Sequence, residues 1–315
     1  LELAATSISA DTTTGAIDID NANASTATFT SLTTATGTIT VDNSGGGAAS
    51  FTTVTTSTNG AIDLENIGGD LTVGTAVTAN GSANVTLTTT TSGNVILTGT
   101  TTATGDTVTV NSVGSINGAG LVSATTIDLN AASGIGDTTQ LELAATSISA
   151  DTTTGAIDID NANAATATFT SLTTATGAIT VDNSGGGAAS FTTVTTSTSG
   201  AIDLENVGGN LTVGTSVTAN GSANVTLTTT TSGNVILTGT TTASSDTVTV
   251  NSAGSINGAG LVSATTIDLN AASGIGNTTQ LELAATSISA DTTTGAIDID
   301  NANAATATFT SLTTA

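Results

Sequence analysis

The feature that most constrains this chain is a short motif that returns about every 23 residues without losing its apolar phase. An apolar-x-apolar pair occurs at Ile17/Ile19, Ile39/Val41, Ile62/Leu64, Val85/Leu87, Val108/Val110 and Ile127/Leu129, and then at Ile157/Ile159. The steps are nearly equal, apart from a shorter one before Ile127 and a longer one before Ile157. A second column keeps pace: Phe29 and Leu32 follow Ile17 at the same two offsets at which Phe51 and Val54 follow Ile39. Alternating apolar and polar residues is the strand period, and Thr, Val and Ile suit a pleated, half-buried surface. Clusters such as Asn43-Ser44-Gly45-Gly46-Gly47 punctuate the strands. Such a unit is too short for a domain but suits one turn of a strand coil that shares its core with the turns above and below. The fold class that follows is all-β: a parallel β-helix, or solenoid, with ~20–30-residue coils. A tandem array of β-sandwiches is the rival, but it predicts one domain per ~100 residues rather than columns in phase at this spacing.

A longer period encloses the short one. The segment LELAATSISADTTTGAIDIDNANA begins at Leu1, Leu141 and Leu281, which makes a 140-residue tandem repeat. Residues 1–140 and 141–280 differ at ten positions, all mild, and 281–315 starts a third copy. The organisation this predicts is repeat unit 1 at 1–140, unit 2 at 141–280 and the beginning of unit 3 at 281–315, as one continuous solenoid cut from a longer array. Each unit is expected to hold six coils; the long step from Ile127 to Ile157, which carries Leu141/Leu143 and Ile148, reads as one coil with a bulged loop around Asp151–Gly155 or as two unusually small coils, the first being favoured.

The phase assigns roles within a coil. Ile17 and Ile19 point inward and Asp18 and Asp20 outward, while Gly15 turns the corner. Asn21, Asn43 and Asn66 fall on the inward phase at successive strand ends, where stacked amides can hydrogen-bond along a ladder. Phe29 should stack on Phe51, and Phe169 on Phe191.

Composition limits the chemistry. The 315 residues include no Lys, Arg, His, Cys, Tyr, Trp, Met or Pro, and the formal net charge is −24. Nucleic-acid binding needs cations to displace counterions from phosphates, and an anionic membrane surface would repel this chain. No apolar run is long enough to span a bilayer, so direct membrane insertion is not expected in these residues. Without His, Cys, Lys or Tyr, catalysis has only carboxylates and hydroxyls to use. The pairs Asp18/Asp20 and Asp63/Glu65 are the candidates for a polysaccharide-cleaving site, but glycosidic cleavage needs two carboxyl groups flanking a sugar in different environments. These pairs instead repeat with the array, so the chain reads as no enzyme, with no catalytic or cofactor-binding residue. Cations are the better partner. Asp20, Asp42 and Glu65 share one outward position in successive coils, and Asp160, Asp182 and Glu205 repeat the set. Like charges about 5 Å apart repel, and a loosely bound Ca²⁺ or Mg²⁺ would relieve them.

The run LTVGTAVTANGSANVTLTTTTSGNVILTGTTTATGDTVTV, residues 71–110, resembles the repeat region of filamentous haemagglutinin-like bacterial exoproteins. The resemblance covers the chain as pattern and composition. It implies a right-handed parallel β-helix in a large surface or secreted protein, with a role in adhesion or surface structure. The function expected is therefore the structural repeat region of an extracellular or cell-surface fibre or filament, acting as an extended rod or self-assembling scaffold. Its partners are expected to be copies of itself, laterally or end to end, with any cell-surface ligand bound outside these residues. The alternative is the stalk of an adhesin whose binding tip lies elsewhere.

Overall fold

A computed structural model describes residues 1–303 and 305–315. Among the described residues the strand pairings are parallel and no helix occurs. The fold is a parallel β-helix. The chain forms two compact units, Leu1–Thr153 and Thr154–Ala315.

In the first unit each coil contributes one strand to each of two walls. The first wall starts with Ile17–Asn21, Ile39–Asn43, Ile62–Asn66 and Val85–Thr89. It continues through the later parts of Thr100–Ser112 and Val122–Ala131. The second wall carries the longer strands Ala27–Thr34, Ala49–Thr56 and Leu71–Ala79. Above these it splits at a corner, so that Val95–Leu97 and the start of Thr100–Ser112 cover Leu71–Ala79 in two pieces. Residues stack in the register the sequence predicts: Ile17 on Ile39, Ile39 on Ile62, Ile62 on Val85, Val85 on Val108 and Val108 on Ile127. All six side chains are buried. On the second wall Phe29, Phe51, Val73 and Leu97 form the matching column. The rings of Phe29 and Phe51 stack at 4.6 Å with planes 12° apart, and in the second unit Phe169 and Phe191 stack at 4.6 Å and 10°.

The asparagine column is a buried ladder. Asn21 Nδ2 donates to Asn43 Oδ1 at 2.8 Å, and Asn43 Nδ2 to Asn66 Oδ1 at 2.7 Å. Asn66 Nδ2 closes the run on the carbonyls of Gly68 and Gly69, and all three side chains are fully buried. Each amide thus satisfies the next where water cannot reach. The second unit repeats the ladder through Asn161, Asn183 and Asn206. Above Asn66 the column continues as Thr89 and Ser112, whose hydroxyls lie 3.4 Å apart.

Glycine at the corners follows from coil spacing. A Cβ on Gly37 would lie 2.2 Å from the carbonyl oxygen of Gly15, and one on Gly60 would lie 2.0 Å from that of Gly37. Only a residue without a side chain lets the backbones of successive coils approach this closely.

One expectation is corrected. The step from Ile127 does not run on to Ile157, because Ile148 takes the next place on the first wall. The segment Asp151–Gly155 is therefore no bulge in an oversized coil: Asp151 and Thr152 end a regular strand, Ser147–Thr152. The motif that follows belongs to the opposite wall, as the second unit shows at its upper end. There Ile267 carries Ile288, and Ile288 carries Phe309. Ile297 and Ile299, the third copies of Ile17 and Ile19, lie instead over Ile275 and Leu281. Six steps on one wall lead from Ile157 to Ile288 through Ile179, Ile202, Val225, Val248 and Ile267, and about half a coil remains before the sequence repeats. The 140-residue period thus holds about six and a half coils rather than six. Identical sequence consequently occupies different walls. In the first unit, Ser7–Thr12 lies under the second wall while its copy Ser147–Thr152 lies on the first. Likewise Glu2–Leu3 lies under the first wall and its copy Leu141–Ala144 on the second.

Candidate functional site

The two walls present different chemistry to solvent. On the first wall of the first unit the outward positions hold Asp18, Asp20, Asp42, Asp63, Glu65 and Asp128, with Thr and Asn between them. On the second wall, the strands from Ala27–Thr34 to Val95–Leu97 hold no carboxylate at all. Serine and threonine fill nearly all of their outward positions.

The predicted cation column is brought together by register. Asp20 stacks on Asp42 and Asp42 on Glu65, and in the second unit Asp160 stacks on Asp182 and Asp182 on Glu205. These carboxylates stand on adjacent rungs along the wall. Among the described residues no group of three or more acidic side chains converges as a metal-holding cluster. Burial, with the charge of Asp20 second, raises the Asp42 carboxyl above its ordinary value, and its Oδ1 is buried without a hydrogen-bond partner. Burial and then Asp182 and Asp203 raise Glu205. Asp63 is raised by burial, and Asp203 by burial and then by Asp182. The arrangement strains against its own charge in the way stacked like charges do.

Sequence reasoning missed what Asp20 and Asp160 of this column, and carboxylates outside it, do. They accept hydrogen bonds from hydroxyls one coil further on. Ser44 Oγ donates to Asp20 Oδ1 at 2.6 Å, Ser149 Oγ to Asp128 Oδ1 at 2.7 Å, and Ser184 Oγ to Asp160 Oδ2 at 2.9 Å. Asp291 receives Ser311 at 2.6 Å and also Thr313, and these bonds hold its carboxyl below the ordinary value. The sequence signal is a Ser or Thr 20 to 24 residues after an Asp. Asp70 plays a related part: its Oδ1 accepts the Asn94 N–H at 2.8 Å, and Asn210 Oδ1 accepts the Asn234 N–H at 2.9 Å. The exchange of Asp70 for Asn210 between copies keeps the acceptor and drops the charge.

The carboxylate pairs considered for catalysis lie on single strands. Asp18 and Asp20 point outward from Ile17–Asn21, and Asp63 and Glu65 from Ile62–Asn66, so each pair shares one face of one strand rather than flanking a cleft. The concave features are open grooves. One, of about 540 Å³, is lined by Asn94, Ile96, Thr98, Ser115, Asn117 and neighbours, and its counterpart in the second unit runs along Asn234, Ile236 and Thr238. No charged residue lines either. No helix long and apolar enough to cross a membrane occurs among the described residues.

Compared with family models, curated proteins and solved structures, the chain matches none.

Proposed function

We propose that this chain is the structural repeat region of an extracellular or bacterial cell-surface fibre, working as an extended rod that assembles with copies of itself. The observation that carries the reading is the union of two facts: 140-residue copies that differ at only ten positions, and a fold in which each coil rests on the coil before it. In such a solenoid, length is added by repeating sequence, with no new core to design. The resemblance to haemagglutinin-like exoproteins supports the same setting. Divalent cations belong to this reading as screening ions along Asp20, Asp42 and Glu65 and along Asp160, Asp182 and Glu205, because carboxylates on adjacent rungs repel. Neither nucleic acid nor the bilayer interior is a partner in this reading.

Electron microscopy of the intact assembly is the test. Thin rods or regular filaments of rods are expected, and compact particles without a long axis would overturn the reading. Chelation at fixed ionic strength tests the ions separately: removing Ca²⁺ and Mg²⁺ should lower thermal stability modestly, and an unchanged melting curve would remove cations from the account.

A further inference from the structure

From Ala27–Thr34 to Val95–Leu97 the second wall of the first unit is a neutral sheet face, mostly Ser and Thr with Ala76 and Ile96 among them, on a chain with 24 carboxylates and no cationic side chain. Its outward column runs through Thr53, Ala76 and Thr100 and ends beside Leu121. Leu121 is 39% exposed, and so is its counterpart Leu261, which ends the same column in the second unit above Thr193, Ser216 and Thr240. Next to this column Ile96 faces outward, half-buried, in the uncharged groove described above, and Ile236 does the same in the second unit. An exposed leucine and a grooved isoleucine thus occur together on the neutral face of each unit. The wall is bounded by charge: Asp11 lies under Thr33, and Glu282 lies directly on Leu261.

We infer that the neutral face of each unit is a lateral contact surface between copies of the chain, with Leu121 as the apolar knob and the groove at Ile96 as the hollow beside it in the first unit, and Leu261 and the groove at Ile236 in the second. The inference rests on the self-assembling reading and names the surface that reading needs. The occupant follows from charge. With no cation anywhere, a copy laid against the first wall sets carboxylate against carboxylate, whereas neutral wall against neutral wall does not. Exposed apolar side chains in a regular neutral field are what such a contact buries. The half-coil offset gives the contact a second direction. In the second unit the third copy's threonine strand, Thr308–Thr314, lies over Ser287–Thr292, which itself continues that unit's charged wall. Within one unit, neutral surface therefore begins on the side opposite the one it occupied before. A molecule with contacts on two sides adds neighbours on both and extends into a layer instead of closing as a pair.

The experiment is sedimentation of the full chain in chelator across a concentration series, with negative-stain images of the same samples. Thr55→Glu with Thr195→Glu puts charge at outward positions on the neutral face of each unit, and Thr86→Glu with Thr226→Glu puts the same charge on the charged face of each unit. Leu121→Ser with Leu261→Ser changes no charge at all. Circular dichroism checks that each variant keeps its strands. The inference expects the wild type to form side-by-side arrays in chelator. It expects the neutral-face and leucine variants to need at least about tenfold more protein to associate, and the charged-face variant to behave nearly as wild type. Equal association by all variants, or equal loss in the charged-face variant, would overturn the inference while leaving self-assembly standing. Wild-type rods that stay single at every concentration would overturn it too, yet leave the rod reading intact. Compact particles would instead count against the rod itself.

Discussion

At the residue scale the fold turns on a few buried polar groups. Asn43 gives and receives within the ladder, so Asn43→Leu removes a donor and an acceptor at once, leaving without a partner Asn66 Oδ1 and the Asn21 N–H that does not donate to the Ala5 carbonyl. An unsatisfied buried group costs about 1–3 kcal/mol, and two are created, so a loss of about 2–6 kcal/mol is expected in urea unfolding. Asn23→Leu, outside the ladder, should cost far less. The carboxylates make a second prediction with an unusual sign. Asp42, Asp63, Asp203 and Glu205 have folded values raised by burial. A raised acid contributes stability that is fully present below its unfolded value and is lost as pH rises through the folded value. Mild acidification toward the ordinary aspartate value of 3.8 should therefore raise the urea midpoint relative to neutral pH, with Asp291, whose value is lowered, working weakly the other way. A midpoint that falls steadily from neutral pH downward would contradict this.

At the element scale the coil was largely readable in the sequence. Period-two alternation marked the strands, and the constant offset between the Ile17 and Phe29 columns marked two walls in register, because a one-residue slip would turn every apolar side chain outward. The asparagine ladder was readable for the same reason, since Asn21, Asn43 and Asn66 keep the inward phase. What the sequence left open, and the favoured reading got wrong, was the coil that carries Ile148. Its strand, Ser147–Thr152, has Ala150 where other coils have a large apolar residue, so it lacks the apolar-x-apolar signature that marks the rest. The acids were harder still, because which hydroxyl meets a carboxylate depends on coil length, which varies. The close approach of coils gives a sharp test. Gly60→Ala would place a Cβ 2.0 Å from the Gly37 carbonyl oxygen and must push two coils apart, whereas nothing lies within 4 Å of a Cβ on Gly15. Gly60→Ala should lower thermal stability clearly and Gly15→Ala hardly at all. Similarly, Ile62→Asp would bury an unpaired charge between Ile39 and Val85 and should cost more than any outward substitution on the same strand.

At the scale of the whole molecule, the sequence period and the structural period do not coincide. The 140-residue copies hold about six and a half coils, so segments of identical sequence fall on different walls within one unit. The absence of Cys makes the underlying register directly measurable. Asp268 and Ser289 are stacked neighbours on one wall, whereas a six-coil repeat would set Asp268 beside Asp298. Parallel neighbours of this kind lie within the Cα separation a disulfide spans. Two double variants, Asp268→Cys with Ser289→Cys and Asp268→Cys with Asp298→Cys, should be oxidised under mild conditions and their free thiols counted. Loss of thiol in the first pair and retention in the second is the predicted result; cross-linking of the second pair but not the first would contradict the register on which the half-coil offset depends.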